Sequence, residues 1–153
     1  MNNEQYEISS TTCALIPKFD LSTVIVEEEK SIHILMPIQK IIEYSCAYYG
    51  SSFQGRIIGS KYALGSKYKL PIIIEESKEL IFFPTLSAEN ENCIWISLNN
   101  IINYQNCGNY TEITFKNNKK IKIEISYRSF ENQMLRATKL LLILKSRKNE
   151  AKL

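Results

Sequence analysis

Residues 50–56, GSSFQGR, set two glycines five positions apart around two serines and follow them with a cation, a spacing that could cradle phosphate. Small residues let backbone N–H groups approach phosphate oxygens, and a guanidinium adds charge. A nucleotide-hydrolysing loop also needs Lys then Ser/Thr, with a strand before it and a helix after. Here Arg56 is followed by Ile57 and the stretch follows a helical pattern, so nucleotide hydrolysis is not expected. Other catalytic arrangements are equally thin. No serine sits in GxSxG, His33 is the only histidine, and the Glu runs at 27–29 and 75–76 read as solvated faces. Cys13, Cys46, Cys93 and Cys107 are 33, 47 and 14 residues apart with no CxxC, so buried free thiols are expected rather than disulfides or a metal site. The reading is of a protein that is not an enzyme and uses no cofactor and no metal.

Polyanion binding has more behind it. Across 53–69, aromatics and bases interleave as Phe53, Arg56, Lys61, Tyr62, Lys67, Tyr68 and Lys69, with no acid among them. Charge is also unevenly spread. Residues 1–36 carry two bases against six acids (−4), 37–70 five against one (+4), 71–115 one against six (−5), and 116–153 eleven against three (+8). Two positive segments flanking a negative one make a basic face if the fold joins them, and a basic face suits nucleic acid. The candidate DNA contacts are Arg56, Lys61, Lys67, Lys69, Lys119, Lys120, Arg128 and Arg136. Arginine on a flexible, exposed segment suits the narrow minor groove of A·T-rich DNA. Three other readings stay open. The lysines could be scattered and solvated, or Tyr48 and Tyr49 could simply pack on a sheet. Tyr62 and Tyr68 could instead stack on single-stranded bases.

Positioning those residues falls to short strands and two helices. CALIP (13–17), STVIV (22–26) and SIHIL (31–35) read as strands. PIQKIIEYSCAYYG (37–50) reads as an amphipathic helix with Pro37 in its first turn and Gly50 at its end. LPIIIE (70–75), ELIFFP (79–84) and NCIWIS (92–97) read as strands, the last running into another strand or short helical turn. TEITFKNNKKIKIEIS (111–126) reads as a hairpin whose Asn117-Asn118 turn tolerates positive φ. SFENQMLRATKLLLILKSRK (129–148) reads as a helix with Ser129 as N-cap and Glu131 in its first turn. The expected fold is α+β, mostly antiparallel sheet or barrel-like strands, with one central and one C-terminal helix. One domain over 1–153 is expected, with N-terminal strands to 36, a core over 37–148 and a frayed tail over 149–153. No apolar run reaches the ~20 residues that span a bilayer. MNNEQYEISS lacks a signal-peptide pattern, so a cytoplasmic protein is expected.

Several blocks together resemble the ComK family of bacterial competence transcription factors: CAYYGSSFQGRIIGS (46–60), KLPIII (69–74), LIFFPTLS (80–87), CIWIS (93–97) and TEITFKNNKKIKIEISYRSFENQMLRAT (111–138), with YGSSFQGR, FFPTLS and SYRSFENQ the most specific words. By position the family words fall on Gly50, Ser51, Ser52, Gly55, Arg56, Lys69, Pro71, Pro84, Thr85, Trp95, Ser129, Phe130, Glu131, Asn132 and Arg136. The resemblance implies a DNA-binding activator of A/T-rich boxes, acting through the minor groove as dimers or pairs of dimers. It implies a bacterial cytoplasmic, nucleoid-associated protein without catalysis or cofactor. Adaptor-guided proteolysis is also implied, though the family segment tied to it follows the final helix, close to where this sequence stops. The alternative from a different class is a β-rich interaction module or regulatory paralogue that pairs with a longer family member without reading DNA.

Overall fold

The computed structural model of the protein describes residues 6–151. Among these, nine strands and three helices follow in the order β1 (Thr12–Pro17), β2 (Thr23–Glu27), β3 (Ser31–Ile34), α1 (Ile38–Tyr48), α2 (Phe53–Leu64), β4 (Ile72–Glu75), β5 (Leu80–Pro84), β6 (Trp95–Ser97), β7 (Ile101–Asn106), β8 (Thr111–Phe115), β9 (Lys120–Ile123) and α3 (Tyr127–Ala151). Six strands form an antiparallel sheet in the order β3-β2-β1-β6-β5-β4, and β7-β8-β9 form a second. The fold is α+β as the patterning implies, but the large sheet ends at β3 and β4, so the described residues form no closed barrel. Because β1 pairs with β6, the N-terminal strands belong to the same sheet as the strands after the helices. No helix among the described residues is long and apolar enough to cross a membrane.

Alternation along the strands gives the large sheet two buried faces. Leu15, Ile72, Ile74, Phe82 and Trp95 meet Ile41, Ile42 and Cys46 of α1 on one face. Ala14, Ile73, Ile81, Phe83 and Ile96 meet the small sheet (Ile113, Phe115, Ile123) and α3 (Phe130, Ala137, Leu140) on the other. Helix α2 packs against α1, β4 and α3 and so ties the two layers together at the β4 end. Cys13, Cys46 and Cys93 are buried free thiols, as expected, and Cys107 is free and half-buried. Burial pushes Cys13 up to about 11 and raises Cys46 and Cys93 as well, which keeps all three protonated.

Three expectations change. The central region holds two helices, because the glycine-rich stretch itself folds as α2. Ser52 caps it by accepting from Gly55 N, and Gly65 closes it in the left-handed region at φ 65° with its N–H on Lys61 O. The final helix begins two residues earlier than Ser129. Ser126 is the side chain that caps it, accepting from Ser129 N at 3.1 Å, which puts Glu131 past the first turn. That helix also continues to Ala151, through most of the stretch expected to fray. The hairpin turn matches its pattern, with Asn117 and Asn118 at φ 65° and 61°.

One buried acid sets a pH dependence. Glu27 accepts from Thr11 Oγ1 at 2.7 Å, from Thr12 Oγ1 at 3.0 Å and from the Tyr6 hydroxyl. Burial raises its pKa above the ordinary carboxylate value. An acid raised in the folded state contributes stability below its unfolded pKa, and that stability is lost as pH rises through the folded pKa. Glu27→Gln is therefore expected to gain stability relative to wild type between mildly acidic and neutral pH. Urea midpoints of both proteins at the two pH values check this, and parallel pH dependences would refute it.

Candidate nucleic-acid interface

The candidate site is built from α2, the 65–71 loop that follows it, and the outer face of α3. No acid occurs between Phe53 and Ile74 or between Asn132 and Asn149, and these two runs are the ones that α2–α3 packing joins. Arg136 and Gln133 fasten the loop to α3. Gln133 Nε2 donates to Lys69 O and Pro84 O, both at 2.9 Å. Arg136 donates to Lys69 O at 3.1 Å, Ser66 Oγ at 3.1 Å and Gln133 Oε1 at 2.8 Å. Lys69 is held at φ 50°, a left-handed conformation that a non-glycine residue adopts at a cost of about 1 kcal/mol. The bonds to its carbonyl offset that strain and fix the direction of the chain between Lys67 and Lys69.

Lys61, Lys67 and Lys69 are exposed beside this clamp, with Tyr62 and Tyr68 among them. None of the three has an ion-pair partner among the described residues. Lys139, exposed one turn beyond Arg136 on α3, joins them and was not singled out by sequence. Its signal was its i+3 spacing from Arg136. Arg128 is exposed in the first turn of α3.

Arg56 is placed differently. Sequence puts it on an exposed, flexible segment, whereas it lies inside α2 with its side chain 23% exposed and its Nη1 at 3.8 Å from Glu76 Oε2. Its Nε is buried without a hydrogen-bond partner. Lys148 Nζ reaches the same Glu76 carboxylate at 3.1 Å and Lys145 Nζ reaches Glu79 at 2.6 Å. The acidic β4–β5 turn thus takes up three cations of the two positive segments.

The hairpin lysines stand apart. Asn117 in the β8–β9 turn donates to Glu29 Oε2 at 2.9 Å and to Glu28 O, which ties that turn to the acidic β2–β3 connection. Lys120 is exposed on β9, Lys119 is half-buried, and Lys122 lies over the Tyr110 ring at 4.4 Å. Charge alternation along the chain did not distinguish these lysines from those on α2.

Most residues of the family words have structural work. Gly50 takes φ 86° after α1, and Ser51 bonds Cys46 O through both its N–H (2.9 Å) and its hydroxyl (3.2 Å). A Cβ at Gly55 would lie 3.0 Å from Ser52 Oγ, so glycine there keeps the helix cap clear. Ser60 Oγ on α2 donates to Pro71 O at 2.6 Å, and Thr85 Oγ1 accepts from Ile94 N at 3.0 Å. Trp95 and Phe130 are core residues, while Glu131 accepts from the Tyr104 hydroxyl at 2.8 Å, which raises the Tyr104 pKa. Asn132 is exposed on α3.

Comparison with known proteins agrees with those words. The family model described as ComK protein matches residues 3–149. The competence transcription factor of Bacillus subtilis (strain 168) is 34% identical over 137 residues, covering 87% of this chain and 71% of that protein. No solved structure matches the chain.

Proposed function

The chain belongs to the ComK family, and from that premise we propose that it is a cytoplasmic DNA-binding activator of the competence type, recognising A/T-rich boxes through the minor groove as paired copies. The observation that carries the reading is the surface where α2–α3 packing joins the acid-free runs 53–74 and 132–149. On it Lys61, Lys67, Lys69 and Lys139, without ion-pair partners among the described residues, surround a loop that Gln133 and Arg136 clamp. Lysines supply phosphate attraction, and a pre-shaped loop lowers the ordering cost of binding. Arg128 extends the same face at the start of α3. Lys119 and Lys120 belong to a separate hairpin and would reach DNA only as a second contact. Arg56 and Arg136 act in this reading by holding the face in shape.

The test is a fluorescence-anisotropy titration with A/T-rich and G/C-rich duplexes over a range of salt. A/T-rich DNA is expected to bind more tightly, with affinity falling as salt rises. Exchanging Lys61, Lys67 and Lys69 together for Gln is expected to reduce the log–log salt slope by roughly 0.9 for each phosphate that these lysines neutralise. Absence of binding, or binding indifferent to salt, returns the chain to the reading of an interaction module. Adaptor-guided turnover is a separate part of the proposal, checked by following the half-life of the protein in cells with and without the degradation machinery.

A further inference from the structure

The turn between β1 and β2 displays apolar side chains that the fold leaves bare. Phe19 is fully exposed and Leu21 largely so, with Leu21 in the left-handed region at φ 65°. The turn is nevertheless closed by its own bonds: Lys18 N to Ser22 O at 2.9 Å, Leu21 N to Lys18 O at 3.1 Å, and Ser22 N to Asp20 Oδ1 at 3.1 Å. A strained, bonded turn that holds a phenylalanine in water is the kind of feature that persists where it serves a contact.

Next to this knob is a hole. A cavity of about 200 Å³ is floored by Trp95 and Cys93 and walled by Pro37, Ile38, Ile42 and Phe53, with Phe19 and Leu21 at its rim. Lys18 stands beside the knob, and Glu89 and Glu91 line the hole from the β5–β6 connection. We propose that this face joins two copies of the chain, the Phe19 ring of each entering the cavity of the other while Lys18 meets Glu89 and Glu91. A two-fold interface requires one patch to carry both complementary parts, and this patch carries knob and hole, cation and acids. The cavity accepts an aromatic ring rather than a helix, and the closed turn presents that ring with little left to order. The inference deepens the paired-copy part of the proposed function and rests on it for its biological use, but the geometry that carries it does not involve the DNA face.

Sedimentation velocity of the full chain, from micromolar to hundred-micromolar, tests it. Wild type is expected to dimerise, and Phe19→Ala to raise the dissociation constant at least ~10-fold, with its melting temperature unchanged at concentrations where both proteins are monomeric, since the side chain is exposed in the single chain. Lys18→Glu is expected to weaken pairing, and Lys18→Glu with Glu89→Lys and Glu91→Lys to restore it. Trp95, the only tryptophan, adds an optical readout: its emission should change on dilution in wild type and not in Phe19→Ala. A chain monomeric throughout overturns the proposal and leaves the cavity to a different protein. A dimer indifferent to Phe19→Ala and Lys18→Glu overturns it too. A monomer that still shifts A/T-rich duplex removes the interface and keeps the DNA reading, whereas a Phe19-dependent dimer that binds no duplex does the reverse.

Discussion

Phe130→Ala is expected to lower the unfolding free energy by about 3–5 kcal/mol, the range for emptying a buried phenylalanine site. In a chain of this length that corresponds to a fall of roughly 6–20 °C in Tm. The ring is fully buried, 5.7 Å from Phe83 and 5.2 Å from Tyr104 between centroids. Neither neighbour can close the gap. Phe83 is fixed in β5 between β4 and β6, and Tyr104 is held on β7 by its bond to Glu131. Asn132→Ala, two residues along and exposed, is expected to stay within about 0.5 kcal/mol of wild type. Thermal melts followed by circular dichroism compare the two. A Phe130→Ala protein that melts within a degree or two of wild type would mean that α3 does not dock by this face. The α2–α3 surface, and the joining of the two positive runs with it, would then fail as an explanation.

That contrast separates what SYRSFENQ displays from what it buries, which the letters alone do not do. Strands were legible wherever β-branched residues alternated between turn signals, as in Ile121-Lys122-Ile123, because one buried face imposes a period of two. Helix α1 was legible from Ile38, Ile41, Ile42 and Cys46 on one face. Helix α2 was not. FQGRIIGSKYAL has glycines at 55 and 59, adjacent β-branched Ile57 and Ile58, and apolar residues on both its inner and outer sides, so neither propensity nor periodicity marks it. Its readable signals were the ends, Ser52 before it and Gly65 after it. The site suffered from the same limit. The charge sums picked out the two positive segments, but only the packing of α2 on β4 and of α3 on β5 decides that Glu76 and Glu79 reach Arg56, Lys148 and Lys145. Those pairings span distances along the chain that no local pattern records. The effect is to withdraw Arg56 from the solvent and leave Lys61, Lys67, Lys69 and Lys139 as cations without ion-pair partners among the described residues.

Arg136→Met should then behave as the loss of a brace rather than of a phosphate contact. The exchange keeps the aliphatic stem and removes the donors to Lys69 O, Ser66 Oγ and Gln133 Oε1. A charged hydrogen bond of this kind contributes about 1.5–3 kcal/mol, and a stability loss of that size is expected. Gln133→Leu should cost about as much, because Pro84 O would be left buried without its donor. The double variant should lose less than the two singles added together. Gln133 and Arg136 bond each other and share the Lys69 carbonyl, which couples them. Affinity for A/T-rich duplex should fall about 10-fold in Arg136→Met, because ordering even one or two residues of the freed loop on binding costs about 1.4 kcal/mol or more. The decisive measurement needs no DNA: amide exchange over residues 66–69 should accelerate in the free variant, since the loop loses the bonds that hold it shut. A direct phosphate contact gives the opposite pattern. Exchange and stability of the free protein would then match wild type, the salt slope would drop by about one unit, and Arg136 would move from the frame of the site to its surface.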